Sequence, residues 1–237
     1  MTVAAPPPGT LVRPAGAGWL ALLGGGEFSF GETLDADRAW VAKAPPGPVG
    51  FVPAASGSQD YAKHFADYLR ETFERELELV PVYRGRDGRR EKNAQRLAEL
   101  PVVYVGGGVA DHLMEAIGDT PVATALLAAL SGGAVVVAIA AAAQCMGAVA
   151  RSVFGGGALP ALDWLAGGVV EPNFDPDHDR RLRLMMKQPG VRWGVGIPAG
   201  AALLLGPDGA IEIVDQVYVL GSADGDYAVL EEDIPTN

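Results

Sequence analysis

Two short apolar runs that each end in three consecutive glycines restrict the fold of this chain more than any other feature. Trp19–Leu23 runs into Gly24–Gly26, and Val102–Val105 runs into Gly106–Gly108. The most apolar run, Ala134–Ile139, leads into an alanine-rich segment. Continuous apolar strands that alternate with helices are typical of a parallel sheet covered on both faces. The sequence therefore predicts an α/β fold, a three-layer α/β/α sandwich with a mainly parallel central sheet.

The segments between and after these runs complete the predicted architecture. Residues 60–77 carry aromatic and leucine side chains at helical spacing, and residues 140–154 are also predicted to be helical. Four short, closely spaced runs in the last third predict an antiparallel C-terminal extension of the same sheet. These runs are Trp193–Ile197, Ala202–Leu205, Ile211–Val214 and Val217–Leu220. We expect residues 1–18 to form a flexible arm and residues 19–237 to form a single domain.

The composition is that of a globular protein with an acidic surface. Of 237 residues, 49% are hydrophobic, and the longest apolar stretch has ten residues, well short of a membrane span. The formal net charge of −11 argues against nucleic acid or an anionic membrane as a partner. The single cysteine, Cys145, excludes an intramolecular disulfide and a multi-cysteine metal site, and we predict no metal and no cofactor. The first residues lack the pattern of a secretory signal, so we expect a cytoplasmic protein.

The glycine turns and the residue after the third run are expected to lie together. Ligands of such sheets bind at the carboxyl ends of the parallel strands, and glycine lets backbone N–H groups face a bound anion or oxyanion. A sharp strand-to-helix turn with small neighbours is the setting of a nucleophile elbow, whose reactive residue comes directly after the strand. Ala140 occupies that position, and its methyl group cannot attack a carbonyl.

Several segments, taken in order, resemble the cyanophycinase and dipeptidase E family of serine peptidases, which share the fold of class I glutamine amidotransferases. Gly24–Gly26 matches the family's opening glycines, and Phe51–Ser56 is similar to its second strand and loop. Val103–Gly108 matches the Gly-Gly-Gly-Asn turn, with Val109 in place of the asparagine. Ala138–Gly147 aligns without gaps on the nucleophile segment Gly-x-Ser-Ala-Gly-Ala-x-x-x-Gly. In this alignment Ala140 stands at the serine and Ala142 at the second glycine.

The resemblance continues through the C-terminal third, to about residue 220. Asn173-Phe174, followed by Arg180 and Arg181, matches the family's His-Phe pair and arginine-rich helix, with Asn173 in place of the histidine. Gly194–Ile197 matches a Gly-Ile-Asp-Glu strand whose two acids are replaced by Pro198 and Ala199. The resemblance implies an oxyanion-binding pocket, which here would be lined by Gly25, Gly26, Gly107, Gly108, Ala140, Ala141 and Asn173. The resemblance does not decide whether Asp163 or Glu171 would be the third member of a catalytic triad. It also does not decide whether the chain is a monomer or a homodimer.

The substitutions predict that the family's acyl-enzyme route is closed, because both the nucleophile and the base are missing. We therefore expect an inactive homologue that retains a small pocket for a peptide or carboxylate. An aspartyl or β-aspartyl peptide, an amino-acid-like ligand, is what the resemblance implies.

Two other interpretations remain open. The first is an active hydrolase with a relocated nucleophile, with Cys145 in Ala143–Gly147 as the thiol and His178 as the base. The second is a structural partner of an active homologue. Ser56 and Ser58 are loop hydroxyls that could help to hold a ligand.

Overall fold

The computed structural model describes residues 7–57 and 59–232. Its strands are β1 (Trp19–Leu23), β2 (Val49–Val52), β3 (Leu77–Leu79), β4 (Val102–Val105), β5 (Val135–Ile139), β6 (Val149–Arg151), β7 (Ala158–Pro160), β8 (Gly168–Pro172), β9 (Trp193–Ile197), β10 (Ala202–Leu205), β11 (Ile211–Val214), β12 (Gln216–Leu220) and β13 (Ala228–Glu231). Its helices are α1 (Leu34–Lys43), α2 (Gln59–Phe73), α3 (Gly85–Gly88), α4 (Glu91–Ala98), α5 (Ala110–Ile117), α6 (Pro121–Gly132), α7 (Ala141–Gln144) and α8 (Arg180–Met186).

The central sheet of the described chain is seven-stranded and mainly parallel. Its order is β11-β10-β1-β5-β4-β2-β3. Strands β1, β5, β4, β2 and β3 run parallel to one another. Strand β10 is antiparallel to β1, and β11 is antiparallel to β10. The predicted mainly parallel sheet with an antiparallel C-terminal extension is therefore confirmed.

Two faces of this sheet are covered, as the apolar strands require. Alternate residues of β1 show the division: Leu20 and Leu22 pack in one core cluster, and Ala21 and Leu23 in the other. Helices α1 and α2 cover the second face, where the rings of Phe51, Phe65 and Tyr104 contact one another. Helices α4, α5 and α6 cover the first face together with apolar residues of β9 and β12. The predicted three-layer sandwich is thereby confirmed.

Two of the four C-terminal runs belong to a second sheet, which corrects the prediction that all four extend the first. This sheet has the order β13-β12-β9-β8, and β8 pairs with β9 in parallel. The sequence analysis did not identify β8 as a strand, so the parallel partner of β9 was missed. Phe174, which follows β8, packs over Gly196 of β9, where an added Cβ would lie 2.4 Å from its ring.

The alanine-rich helix is much shorter than predicted. Helix α7 ends at Gln144, whereas the predicted helix continued to residue 154. The chain turns at Gly147 because its backbone packs on β8, where an added Cβ would lie 2.8 Å from the carbonyl oxygen of Gly168. Ala148 then donates its N–H to the same oxygen at 2.7 Å, and β6 follows. Tertiary contact with β8 therefore overrides the helix propensity of alanine.

The described part of the N-terminal segment lies against the body of the protein. Leu11 is buried, and Arg13 donates from Nε to the carbonyl oxygen of Gly206 at 2.8 Å. Residues 1–6 lie outside the described residues, and the predicted flexibility of the arm stays a prediction.

No single helix among the described residues is long and apolar enough to cross a membrane. Helices α5 and α6 would reach that length together, but they are bent by 93° at the break between them.

A buried carboxylate anchors the segment that follows the first glycine turn. Asp37 on α1 is fully buried, and its oxygens accept hydrogen bonds from Thr33 Oγ1 at 2.7 Å, Trp40 Nε1 at 2.8 Å and Tyr68 Oη at 2.9 Å. Burial raises the pKa of Asp37 against the opposing effect of these three hydrogen bonds. Thr33 lies beside the turn, since its Cγ2 would be 3.4 Å from a Cβ added to Gly26.

Replacement of this carboxylate should destabilise the fold. We expect Asp37→Ala to lower the free energy of unfolding by about 2–4 kcal/mol, because it removes the acceptor of the buried donors of Thr33 and Trp40 and of the partly buried hydroxyl of Tyr68. The measurement is urea denaturation followed by circular dichroism. Asp35→Ala, on the same helix but exposed and paired only with Arg38, is the control and should change the value by less than about 0.5 kcal/mol. Equal effects of the two substitutions would contradict this account.

Candidate functional site

The ends of four strands meet at one edge of the central sheet. The N–H of Ala140, just after β5, donates to the carbonyl oxygen of Leu23 at 3.0 Å. The N–H of Asn173, just after β8, donates to the next carbonyl oxygen of the same strand end, that of Gly24, at 2.8 Å. A Cβ added to Gly107, after β4, would lie 3.3 Å from the Cβ of Ala140. The structure thus places Ala140 beside Gly107 and Asn173 beside Gly25. Gly26, Gly108 and Ala141 adjoin these residues in sequence, and we call the predicted set the elbow pocket: Gly25, Gly26, Gly107, Gly108, Ala140, Ala141 and Asn173.

Ala140 has the backbone conformation of a nucleophile elbow. It is the residue between β5 and α7, and its φ of 53° and ψ of −118° place a non-glycine residue outside the commonly allowed regions. Such a conformation costs on the order of 1–3 kcal/mol and persists only where the surroundings enforce it. Its methyl group faces Gly107, where an elbow enzyme has a hydroxyl or a thiol.

The second glycine turn is packed tightly and presents its N–H groups. Gly108 has a φ of +146°, and an added Cβ would lie 2.4 Å from the carbonyl oxygen of Ala55. That oxygen accepts the N–H of Val109 at 2.9 Å, so the loop after β2 supports the turn. Within the described residues, the N–H groups of Gly107, Gly108 and Ala141 donate to no other residue. These groups are available to a ligand's carbonyl or carboxylate oxygen.

Asn173 closes the pocket at the first glycine turn. Its φ is 48°, and its side chain lies over Gly25, where an added Cβ would be 2.3 Å from Oδ1. The amide can donate and accept hydrogen bonds, but it does not take up a proton as a histidine base does. Ser56 lies on the loop that supports Gly108, and Ser58 lies outside the described residues.

The segment after β9 packs against the first glycine turn without providing an acid. A Cβ added to Gly24 would lie 1.9 Å from the carbonyl oxygen of Pro198, and Gly200 donates its N–H to the carbonyl oxygen of Gly25 at 3.0 Å. Pro198 therefore contacts the glycine turn through its backbone, and Ala199 is exposed.

The two residues proposed as a relocated nucleophile and base lie in different environments. Cys145 is buried in the core, with its Sγ 3.8 Å from the carbonyl oxygen of Ala110, and burial raises the pKa of its thiol to about 12. His178 is exposed, and its Nδ1 lies 2.6 Å from Asp175 Oδ2. This hydrogen bond raises the pKa of His178. A buried thiol with a raised pKa lacks the electropositive, accessible setting that a reactive thiolate needs.

The two acids left open by the sequence differ sharply in burial. Asp163 is exposed, and its Oδ1 accepts the N–H of Gly167 at 2.9 Å within a turn. Glu171, on β8 and two residues before Asn173, has a side chain that is only 5% exposed. Its Oε1 lies 3.9 Å from Arg151 Nη2, and burial raises the pKa of its carboxyl group. The sequence analysis identified Glu171 only as an acid close to Asn173, the residue at the family's histidine position. Its burial was not predicted, because β8 was not recognised as a strand.

Among the described residues there is no group of three or more histidine, cysteine, aspartate or glutamate side chains that could hold a metal ion.

The strain at Ala140 can be measured with a matched pair of substitutions. Ala140→Gly should raise the free energy of unfolding by about 1 kcal/mol, because glycine adopts a positive φ without steric cost. Ala142→Gly, in the ordinary helical conformation two residues later, should lower it by about 1 kcal/mol. Chemical denaturation of both variants measures whether the free energy of unfolding changes in opposite directions. Destabilisation of similar size in both variants would show that residue 140 is unstrained.

Comparison with known proteins supports the fold. Two crystal structures share the fold: a peptidase from an acI-B1 Actinobacterium has a TM-score of 0.75 and 16% identity, covering 92% of this chain and 96% of that chain. A candidate peptidase E from Listeria monocytogenes EGD-e has a TM-score of 0.61 and 14% identity, covering 84% of this chain and 98% of that chain. A search among curated proteins found no match. The model of peptidase family S51 matches residues 20–213, so the predicted resemblance is confirmed and the chain belongs to peptidase family S51.

Proposed function

We propose that this chain is a non-catalytic member of its family that binds a small peptide or carboxylate ligand in the elbow pocket. The observation that carries the proposal is that Ala140, whose side chain is a methyl group, has the backbone conformation of the reactive residue of a nucleophile elbow. The elbow, the glycine turns and the backbone donors are present, while the side chain that would react is missing.

Peptide hydrolysis through an acyl-enzyme needs three things that this site would have to supply. A nucleophilic oxygen or sulfur attacks the carbonyl, a base takes its proton, and donors stabilise the oxyanion. Ala140 offers no nucleophile, and the amide of Asn173 offers no base. Only the third requirement can be met, by the N–H groups of Gly107, Gly108 and Ala141. Such a site can hold a carbonyl or carboxylate oxygen without turning the ligand over.

Cys145 gives little support for the alternative of an active hydrolase. Its thiol is buried and its pKa is raised to about 12, so the thiolate is scarce at neutral pH.

Active-site labelling tests the absence of a nucleophile. We expect the wild-type chain not to react with a fluorophosphonate probe, because no activated serine occupies the elbow. The double substitution Ala140→Ser with Asn173→His should introduce labelling by restoring a hydroxyl and an imidazole at the two matched positions. The control, Ala141→Ser with Asn173→His, places the hydroxyl one residue further on and should stay unlabelled. Stoichiometric labelling of the wild type would refute the proposal.

Ligand binding is tested by thermal stability. A panel of aspartyl and β-aspartyl dipeptides should contain at least one that raises the melting temperature, because a ligand that prefers the folded state stabilises it, by about 2.7 kcal/mol at a hundredfold excess over Kd. Gly107→Ala, which adds a methyl group beside Ala140, should abolish the rise.

Gly132→Ala is the matched control for that substitution. A Cβ at Gly132 meets no atom within 4 Å, so this variant should keep the full temperature rise. No rise with any member of the panel, or an equal rise in both variants, would contradict binding in the elbow pocket.

A further inference from the structure

The turn that leads into α4 displays a cluster of arginines on an otherwise acidic chain. Residues 84–96 hold six of the chain's 18 lysine and arginine residues and only two of its 29 acids. Four of the six lie on α3 and beside its ends, and all four are exposed. We call them the arginine turn: Arg84, Arg86, Arg89 and Arg90. Like charges at such close spacing repel one another, and an anionic partner would relieve that repulsion.

The backbone of the arginine turn is fixed by contacts that a side chain would disrupt. A Cβ added to Gly88 would lie 2.0 Å from the carbonyl oxygen of Ala116 on α5. A Cβ added to Gly85 would lie 3.0 Å from the carbonyl oxygen of Glu115 on the same helix. The arginines are therefore presented by an ordered backbone. Binding to a pre-organised surface of this kind loses less conformational entropy than binding to a flexible loop.

One buried carboxylate, that of Asp87, leaves most of the positive charge of the turn uncompensated. Its Oδ2 accepts two backbone N–H groups at the start of the turn, at 3.2 Å each. Its Oδ1 lies 3.8 Å from Arg86 Nε and 3.4 Å from Arg90 Nη1. Among the described residues, Arg84 and Arg89 have no acid within ion-pair distance. The turn thus carries four guanidinium groups against one carboxylate.

From these observations we propose that the arginine turn is a docking surface for an acidic segment of a partner protein, with several aspartate or glutamate residues in succession. A guanidinium group binds a carboxylate through two parallel N–H···O hydrogen bonds, a geometry that an ammonium group lacks. Arginine is also enriched in protein–protein interfaces. This surface is separate from the elbow pocket, so the inference does not depend on the proposed function.

The charge of the rest of the chain favours a protein segment over a nucleic acid. Outside residues 84–96, acids outnumber lysine and arginine residues more than twofold. A long polyanion extends beyond a single turn and would be repelled by that acidic surface. A short acidic segment can be confined to the turn itself.

Fluorescence anisotropy of the full chain with two rhodamine-labelled peptides tests the proposal. The peptides are hexaglutamate and hexaglutamine, which have the same length and differ in charge. At about 20 mM salt, where surface charges are weakly screened, the wild type should bind hexaglutamate at least about tenfold more tightly. Raising the salt to about 500 mM should abolish this preference. Equal binding of the two peptides, or no binding of hexaglutamate, would overturn the proposal without any substitution.

Substitution then assigns the preference to the arginine turn. Arg86→Ala with Arg89→Ala should weaken hexaglutamate binding at least about tenfold, because hydrogen bonds between charged groups are lost. The control, Arg38→Ala with Arg70→Ala, removes the same charge from exposed positions on α1 and α2, and it should change the Kd by less than about twofold. Melting temperatures near that of the wild type show that both variants are folded. Equal weakening by the two pairs would mean that net charge alone decides binding, and it would overturn the proposal.

A single-stranded oligothymidylate of similar charge distinguishes the kind of partner. We expect it to bind the wild type more weakly than hexaglutamate does. Tighter binding of the oligonucleotide, lost in Arg86→Ala with Arg89→Ala, would overturn the assignment to a protein partner in favour of a nucleic acid. The dipeptide panel should raise the melting temperature of this variant as it does that of the wild type, so failure of either proposal leaves the other standing.

Discussion

The arrangement of the strand ends at the elbow pocket depends on the backbone conformation of one residue, Ala140. Strand β5 leaves the central sheet through a backbone geometry that an alanine adopts only under constraint, and α7 begins directly after it. Its N–H is held by β1, and its methyl group is held against the turn after β4. Because both neighbours in the sheet take part, the geometry does not depend on the chemistry that a nucleophile would bring. The sharp turn after β5 is therefore maintained with a methyl group at its central residue.

Two of the buried carboxylates among the described residues differ in how fully they are hydrogen-bonded. Asp37 accepts three hydrogen bonds and fastens the segment after the first glycine turn. Glu171 is nearly as buried, but one of its oxygens has no partner among the described residues. Burial raises the pKa of both groups. The hydrogen bonds of Asp37 offset part of the cost of burying its charge, whereas Glu171 Oε2 bears that cost without a hydrogen-bond partner among the described residues.

Local sequence patterns predicted the central sheet, its glycine turns and the sharp turn after β5, because these depend on short-range features. Apolar runs that end in glycine define the strand ends of β1 and β4, and the small residues around Ala140 define the turn. The patterns failed where distant contacts decide. The route of the chain at Gly147 and the pairing of β8 with β9 depend on residues far apart in sequence. The burial of Glu171 follows from that same pairing, so no local signal could have revealed it.

The donors of the elbow pocket belong to the main chain, and this has a consequence for how such proteins diverge. A point mutation can erase a hydroxyl, an imidazole or an acid in one step, but every amino acid except proline carries an N–H. Erasing these donors would require the strand ends themselves to be rerouted. In an architecture of this kind a point mutation therefore removes a reactive side chain more readily than it removes the backbone donors at the strand ends.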